Sequence, residues 1–94
     1  MEEHLSIKDI HERLQELLGW EMEDYTSIYK EFKFKDFKEA MDFVQKVGEN
    51  AAHEYHYPEI TIRNNKVRLS LTTWDENAIT YKDFKLAKII EQLI

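Results

Sequence analysis

The feature that most restricts the fold of this chain is a pair of alternating segments on either side of Asn64-Asn65. The apolar residues that alternate with polar ones there are Ile60, Ile62, Val67, Leu69 and Leu71. Alternation with a period of two is typical of strands that bury one face. Asparagine tolerates the positive φ that a tight turn requires, so this segment predicts a β-hairpin.

A second pair of strands is predicted earlier in the chain. Residues 20–24 form a candidate short strand, and a turn follows at Asp24-Tyr25-Thr26. From Ser27 to Phe34 the pattern alternates again, which places the side chains of Ile28, Phe32 and Phe34 on one face. We therefore expect two hairpin-like strand pairs in this chain.

Three helices are predicted around these strands. The first begins after the N-cap Ser6 and is expected to end at Gly19, the second begins at Asp36 and ends before Pro58, and the third begins at Thr80. The apolar stripes assigned to them are Ile7, Ile10, Leu14, Leu17 and Leu18; Phe37, Ala40, Met41, Val44, Val47 and Ala51; and Phe84, Ala87, Ile90 and Leu93 or Ile94.

The order of elements predicts an α+β fold for residues 1–94 as a single domain. Two hairpin-like pairs favour a four-stranded antiparallel sheet with the three helices packed on one face. Such a small sheet leaves its edges unpaired, and pairing with a second copy would cover an edge. We therefore expect a homo-oligomer, at least a dimer.

Composition excludes several classes of partner. The net charge of −6 argues against nucleic acid, because phosphate binding needs a basic face. No apolar run is long enough to cross a bilayer, and the acidic start Met1–His4 is unlike a signal or transit peptide. Together with the absence of cysteine, these observations lead us to expect a cytoplasmic protein without a membrane partner.

Three residues form a candidate acid–base site. His56 lies at a predicted helix-to-strand junction, and histidine is the side-chain type that exchanges protons near neutral pH. Asp83 lies in the first turn of the last helix, where the helix dipole favours a negative charge. Trp74 ends the strand that leads to that helix, so all three could share one cleft. Each residue also has a structural explanation, as a junction histidine, a capping aspartate and a core tryptophan.

A metal site is not expected. The two histidines of His53-Glu54-Tyr55-His56 are three residues apart, whereas the zinc-protease helix motif requires four. Pro58 follows immediately and ends the helix.

The order of these pieces resembles the pterin-4a-carbinolamine dehydratase family. That family's signature has two adjacent histidines and a proline, then a hairpin, a third histidine at a strand end and an aspartate at the start of the last helix. The matching residues here are His56, Pro58, Asn65-Lys66-Val67, Leu71-Thr72-Thr73 and Asp83. Further similarity lies in Gly19-Trp20, Phe32-Lys33-Phe34-Lys35-Asp36-Phe37, Leu86-Ala87 and Ile90-Glu91. Tyr57 and Trp74 stand where the family usually has its second and third histidines.

The resemblance implies a dehydratase that removes water from 4a-hydroxytetrahydropterin to give quinonoid dihydropterin, as in tetrahydrobiopterin recycling. It implies that His56 is the acid–base residue and that Asp83 orients it, with Tyr57, Pro58 and Trp74 binding the pterin substrate. It implies no cofactor, and a homodimer or homotetramer. The alternative is a catalytically weakened member that acts as a protein-interaction module, which the two replaced histidines favour.

A substitution tests the importance of the histidine. His56→Ala is expected to remove most activity while the melting curve stays nearly unchanged, because a junction histidine contributes little to a core.

Overall fold

A computed structural model describes residues 5–94 of the chain, and the expectation for Met1–His4 lies outside the described residues. The secondary-structure elements follow the predicted order. They are α1 (Ile7–Leu14), β1 (Glu21–Glu23), β2 (Ser27–Lys33), α2 (Phe37–Glu54), β3 (Glu59–Arg63), β4 (Lys66–Leu71) and α3 (Tyr81–Glu91). No helix within residues 5–94 combines the length and the apolar character needed to span a membrane.

The four strands form one antiparallel sheet in the order β1-β2-β4-β3. The central pair β2 and β4 is not consecutive in the chain, and its register places Ile28 opposite Leu71 and Phe32 opposite Val67. Apolar side chains of β2 and β4 join helical residues in one buried cluster, whereas Arg68 and Ser70 on the other face stay half-exposed. The prediction of an α+β fold with a four-stranded antiparallel sheet and three helices is confirmed.

The β3–β4 hairpin forms where it was predicted. Asn64 takes a φ of 56°, and the pair Arg63 and Lys66 closes the turn. Asn65 has a further role, because its side-chain amide donates a hydrogen bond to the carbonyl of Phe34 at 2.8 Å. The backbone N–H of Phe34 donates in return to the carbonyl of Asn65 at 2.8 Å. The turn is therefore held against the end of β2.

The first helix is shorter than predicted. It ends at Leu14, and tighter turns carry the chain to Gly19, so the prediction that Gly19 ends the helix is wrong. Gly19 has a φ of 90°, and a Cβ atom there would come within 2.9 Å of the Lys30 side chain. The positive φ is the reason that this turn favours glycine, because an added Cβ would meet only the flexible end of the Lys30 side chain.

The predicted apolar stripes differ from the observed core in two ways. Ile7, Leu18, Phe37 and Met41 are exposed, so they do not belong to the core. Phe43 and Leu86, which the stripes of the second and third helices omitted, are buried, and so are Trp20 and Ile79 outside the helices. The early end of α1 explains Leu18, because that residue no longer shares a helix face with Ile10. Phe43 packs against Phe32 and Phe34 with ring centroids 5.0 and 4.9 Å apart.

Candidate active site

The end of α2 places His56 inside the protein. Tyr55, the residue after the helix, is left-handed with φ 54° and ψ 35°. The N–H of His56 donates to the carbonyl of Ala51 at 3.1 Å, and the N–H of Tyr55 donates to that of Ala52 at 3.2 Å. This pair of bonds is the Schellman ending of a helix. It reverses the chain, and His56 is left only 7% exposed.

A left-handed tyrosine at this turn stores strain, so we expect Tyr55→Gly to stabilise the protein. The left-handed conformation costs an L-residue roughly 1–2 kcal/mol, and glycine removes this cost. Glycine also raises the conformational entropy of the unfolded chain, which offsets about half of the stabilisation. We expect the free energy of unfolding to increase by about 0.5–1 kcal/mol, which raises Tm by roughly 2–8 °C in thermal melts. Tyr55→Ala is the matched control, because it removes the exposed ring and keeps the strain. Equal melting temperatures for the two variants would contradict this expectation.

The start of α3 places Asp83 against His56. Thr80 and Asp83 form a capping box, in which the carboxylate oxygen Oδ2 of Asp83 accepts from the backbone N–H of Thr80 at 2.9 Å. The other oxygen, Oδ1, lies 2.6 Å from Nε2 of His56. Asp83 is fully buried, and this pair joins residues 27 positions apart in the chain. The same aspartate therefore caps the helix and contacts the histidine.

Two threonines complete the bonding of Asp83. The hydroxyl of Thr73 donates to Oδ2 of Asp83 at 3.0 Å and lies 2.7 Å from the hydroxyl of Thr80. Since the Thr73 proton is used on the carboxylate, the hydroxyl of Thr80 donates to Thr73. Thr73 is buried two residues after β4, where a bridge to Ala78 holds it. The acidic group thus has a donor on each side, as buried charges require.

This bonding pattern assigns the proton of the imidazole. A carboxylate accepts, so Nε2 of His56 carries the hydrogen that lies between the two groups. In the neutral ring, the lone pair is then on Nδ1. No side chain among the described residues forms a hydrogen bond with Nδ1. Asp83 thereby fixes the ring orientation and its tautomer.

A cleft of about 120 Å³ opens beside His56. Its other lining residues are Glu54, Tyr81, Lys82 and Lys85, from the end of α2 and the start of α3. Nζ of Lys85 lies 3.1 Å from Oε1 of Glu54. Within residues 5–94, no three His, Asp or Glu side chains come together in a way that could hold a metal ion. The lining of the cleft is therefore mainly polar and charged.

The remaining residues predicted for the site lie beside this cleft. The indole N–H of Trp74 donates to the carbonyl of Tyr57 at 3.3 Å, and both residues are more than half exposed. Pro58 is half-buried between Tyr57 and β3. Neither Tyr57 nor Trp74 lines the cleft at His56. The structure brings His56 and Asp83 into contact and places Tyr57 and Trp74 together on the adjoining surface.

Sequence reasoning missed several residues of the site. Thr80 was assigned only as a helix cap, and Thr73 only as part of a strand. The lysines at positions 82 and 85 follow the cap at a spacing of three, which places them on one side of α3. That spacing indicates that the two lysines share one side of α3, but it does not predict that this side faces the end of α2.

Comparison with known proteins identifies the family and the fold. A family model described as pterin 4 alpha carbinolamine dehydratase matches residues 3–93. The chain belongs to the pterin-4a-carbinolamine dehydratase family. Relatives from Acidobacterium capsulatum and a Picosynechococcus species, both provisionally assigned as pterin-4-alpha-carbinolamine dehydratases, are 44% and 42% identical. The aligned regions cover 96% and 99% of this chain, and 97% and 100% of the relatives.

Two solved structures share this architecture. A crystal structure from Brucella melitensis, described as a transcriptional coactivator/pterin dehydratase, has a TM-score of 0.92 at 33% identity. The match covers 97% of this chain and 98% of the Brucella chain. A pterin dehydratase-like protein described as a RuBisCO assembly factor of the alpha-carboxysome has a TM-score of 0.68 at 14% identity, over 80% of this chain and 88% of its own. At 14% identity, the second match supports only the assignment of the fold.

Proposed function

We propose that this protein removes water from a 4a-hydroxytetrahydropterin to give the quinonoid dihydropterin. The observation that carries this proposal is the buried pair of His56 and Asp83, 2.6 Å apart, at the wall of an open cleft. The reaction needs an acid for the departing hydroxyl and a base for the proton on the ring nitrogen. A histidine oriented by a carboxylate supplies both functions.

One imidazole nitrogen is enough for the chemistry. Nδ1 of His56 takes the proton from the ring nitrogen while the C4a–oxygen bond breaks, and it returns that proton to the departing hydroxyl. The products are quinonoid dihydropterin and water, and the histidine ends in its starting state. While Nδ1 carries the proton, the ring is positively charged, and the carboxylate of Asp83 stabilises it at 2.6 Å. Such assistance typically accelerates a reaction by roughly 10²–10⁴-fold.

Tyr57, Pro58 and Trp74 are the residues that we assign to substrate binding outside the cleft. A cleft of about 120 Å³ is smaller than the roughly 300–1,000 Å³ of sites that enclose a whole ligand. Part of a bicyclic pterin therefore lies outside it. The exposed rings of Tyr57 and Trp74 offer flat surfaces for stacking on that part.

A stopped-flow assay that generates the carbinolamine in the cuvette tests this activity. The folded protein at micromolar concentration is expected to accelerate formation of the quinonoid product above the spontaneous rate. The same assay with bovine serum albumin, at the same mass concentration, controls for non-specific effects. Equal rates with and without the protein would overturn the proposed activity.

The second candidate is a catalytically weakened member that serves as a protein-interaction module. Tyr57 and Trp74 stand where the family signature has histidines, and their exposed rings lie outside the His56 cleft. Exposed tyrosine and tryptophan are typical of binding surfaces between proteins. A folded protein without dehydratase activity in the stopped-flow assay would favour this candidate.

The free edge of β3 predicts a homo-oligomer. β3 is the outer strand beside β4, and no other strand within residues 5–94 pairs with its second edge. We expect a two-fold contact between two β3 edges, which would join two sheets of four strands. Light scattering should give at least twice the chain mass of 11.4 kDa. A mass of a single chain that persists on concentration would contradict this prediction, and a fourfold mass would indicate a tetramer.

A further inference from the structure

We propose that the open face of the sheet, which the helices leave uncovered, is a docking surface for an acidic segment of a partner protein. Its main feature is a basic row, which consists of Lys33 on β2, Lys66 on β4 and Arg63 on β3. Lys66 lies directly opposite Lys33 on one side and directly opposite Arg63 on the other, and all three residues are exposed. The basic row shares no residue with the cleft at His56, so this inference does not rest on the proposed function.

Folding does not explain the basic row. Like charges that lie directly opposite each other in a sheet are destabilising, and none of these three cations forms an ion pair within residues 5–94. Charge at a sheet edge discourages aggregation, but this accounts only for Arg63, because β3 is an edge strand whereas β2 and β4 are central. In a chain with a net charge of −6, a partner that supplies negative charge accounts for the whole row.

A stacked pair on the same face extends the contact surface. Arg68 lies two residues after Lys66 on β4, and Cζ of its guanidinium lies 4.2 Å from the centre of the Tyr29 ring. Nη2 of Arg68 also donates to Oε1 of Glu23 at 3.2 Å, which holds the guanidinium over the ring. Tyrosine and arginine are enriched at protein interfaces, and side chains that are already ordered lose less entropy on binding. The pair is therefore suited to contact a partner beside the basic row.

The other end of the open face limits the partner to a short acidic segment. Glu21 lies opposite Tyr29, and Glu59 lies opposite Ser70, which is itself opposite Tyr29. Because Tyr29 and Lys33 are four residues apart on β2, this acidic row lies about 13 Å from the basic row. A long polyanion such as DNA would extend over both rows and be repelled by the acidic one. Two or three carboxylates of a peptide match the basic row without reaching the acidic row.

Fluorescence anisotropy with a labelled hexaglutamate peptide tests the surface at low ionic strength, where charge–charge contacts are strongest. The wild type is expected to bind this peptide, and added salt is expected to weaken the binding. Lys66→Glu reverses the central charge of the row and is expected to weaken binding by roughly 10-fold or more. Its Tm is expected to stay unchanged or to rise, because the substitution replaces two repulsive cross-strand pairs by attractive ones.

The matched control is Lys8→Glu, which makes the same change of charge at an exposed residue of α1. It is expected to leave the binding of hexaglutamate unchanged. The proposal is overturned if the wild type does not bind the peptide, if Lys66→Glu binds it as tightly as wild type, or if both variants lose binding equally. A labelled single strand of DNA is the second probe. If it binds as tightly as hexaglutamate, the face is a nucleic-acid surface and the assignment to an acidic protein segment is wrong.

Discussion

Replacing Asp83 by asparagine is expected to lower kcat/KM for dehydration by roughly 10²–10⁴-fold while the protein stays folded. The amide oxygen can still accept from the N–H of Thr80 and the hydroxyl of Thr73, which are the two donors to Oδ2. The amide NH₂ then faces Nε2 of His56, which has to accept instead of donate. The imidazole proton moves to Nδ1, and the nitrogen that faces the substrate loses its lone pair.

Two measurements separate this effect from simple damage. Nitrogen NMR of the imidazole should show the proton on Nε2 in the wild type and on Nδ1 in the Asp83→Asn variant. Asp75→Asn is the matched control, because Asp75 is exposed in the loop before α3. That variant should keep both the activity and the tautomer. Unchanged kcat/KM in Asp83→Asn, or a proton that stays on Nε2, would contradict the orienting role of Asp83.

Replacing His56 is expected to lower the dehydration activity by a similar factor. The replacing residue determines how much stability is lost. His56→Gln keeps an amide donor for Asp83 but cannot exchange protons, so dehydration should fall to the spontaneous rate. His56→Ala leaves one oxygen of a fully buried carboxylate without its donor. That loss typically costs about 1–3 kcal/mol, or roughly 4–24 °C in Tm for a domain of this size.

The structure changes the expectation drawn from the sequence, in which His56→Ala leaves the melting curve nearly unchanged. That expectation treated His56 as a solvated junction residue, whereas it is buried and bonded to Asp83. Stopped-flow rates and thermal melts of the two variants test the point together. His11→Gln, on the exposed side of α1, is the control and should change neither. Retained activity in His56→Gln would exclude His56 as the proton-transfer group.

Local patterns in the sequence determined most of the secondary structure. The alternation around Asn64-Asn65, the caps Ser6, Asp36 and Thr80, and the block imposed by Pro58 each act within a few residues. Their effects on φ, ψ and hydrogen bonding are decided before distant parts of the chain meet, so they can be predicted from sequence alone. Where a pattern was misread, as at the end of α1, the helix ends at Leu14 and tighter turns lead on to Gly19.

Contacts between distant segments were decided by the tertiary structure. The carboxylate of Asp83 was predictable as a helix cap, because Thr80 is three residues away. Its bond to His56 depends on the left-handed turn at Tyr55 and on the packing of α2 against α3. The same packing brings Glu54 to Lys85 and opens the cleft. By itself, the sequence thus determined the strands, the caps and the candidate acid–base residues. Only the tertiary structure decided which side chains far apart in the chain contact each other, because these contacts depend on how whole helices and strands pack.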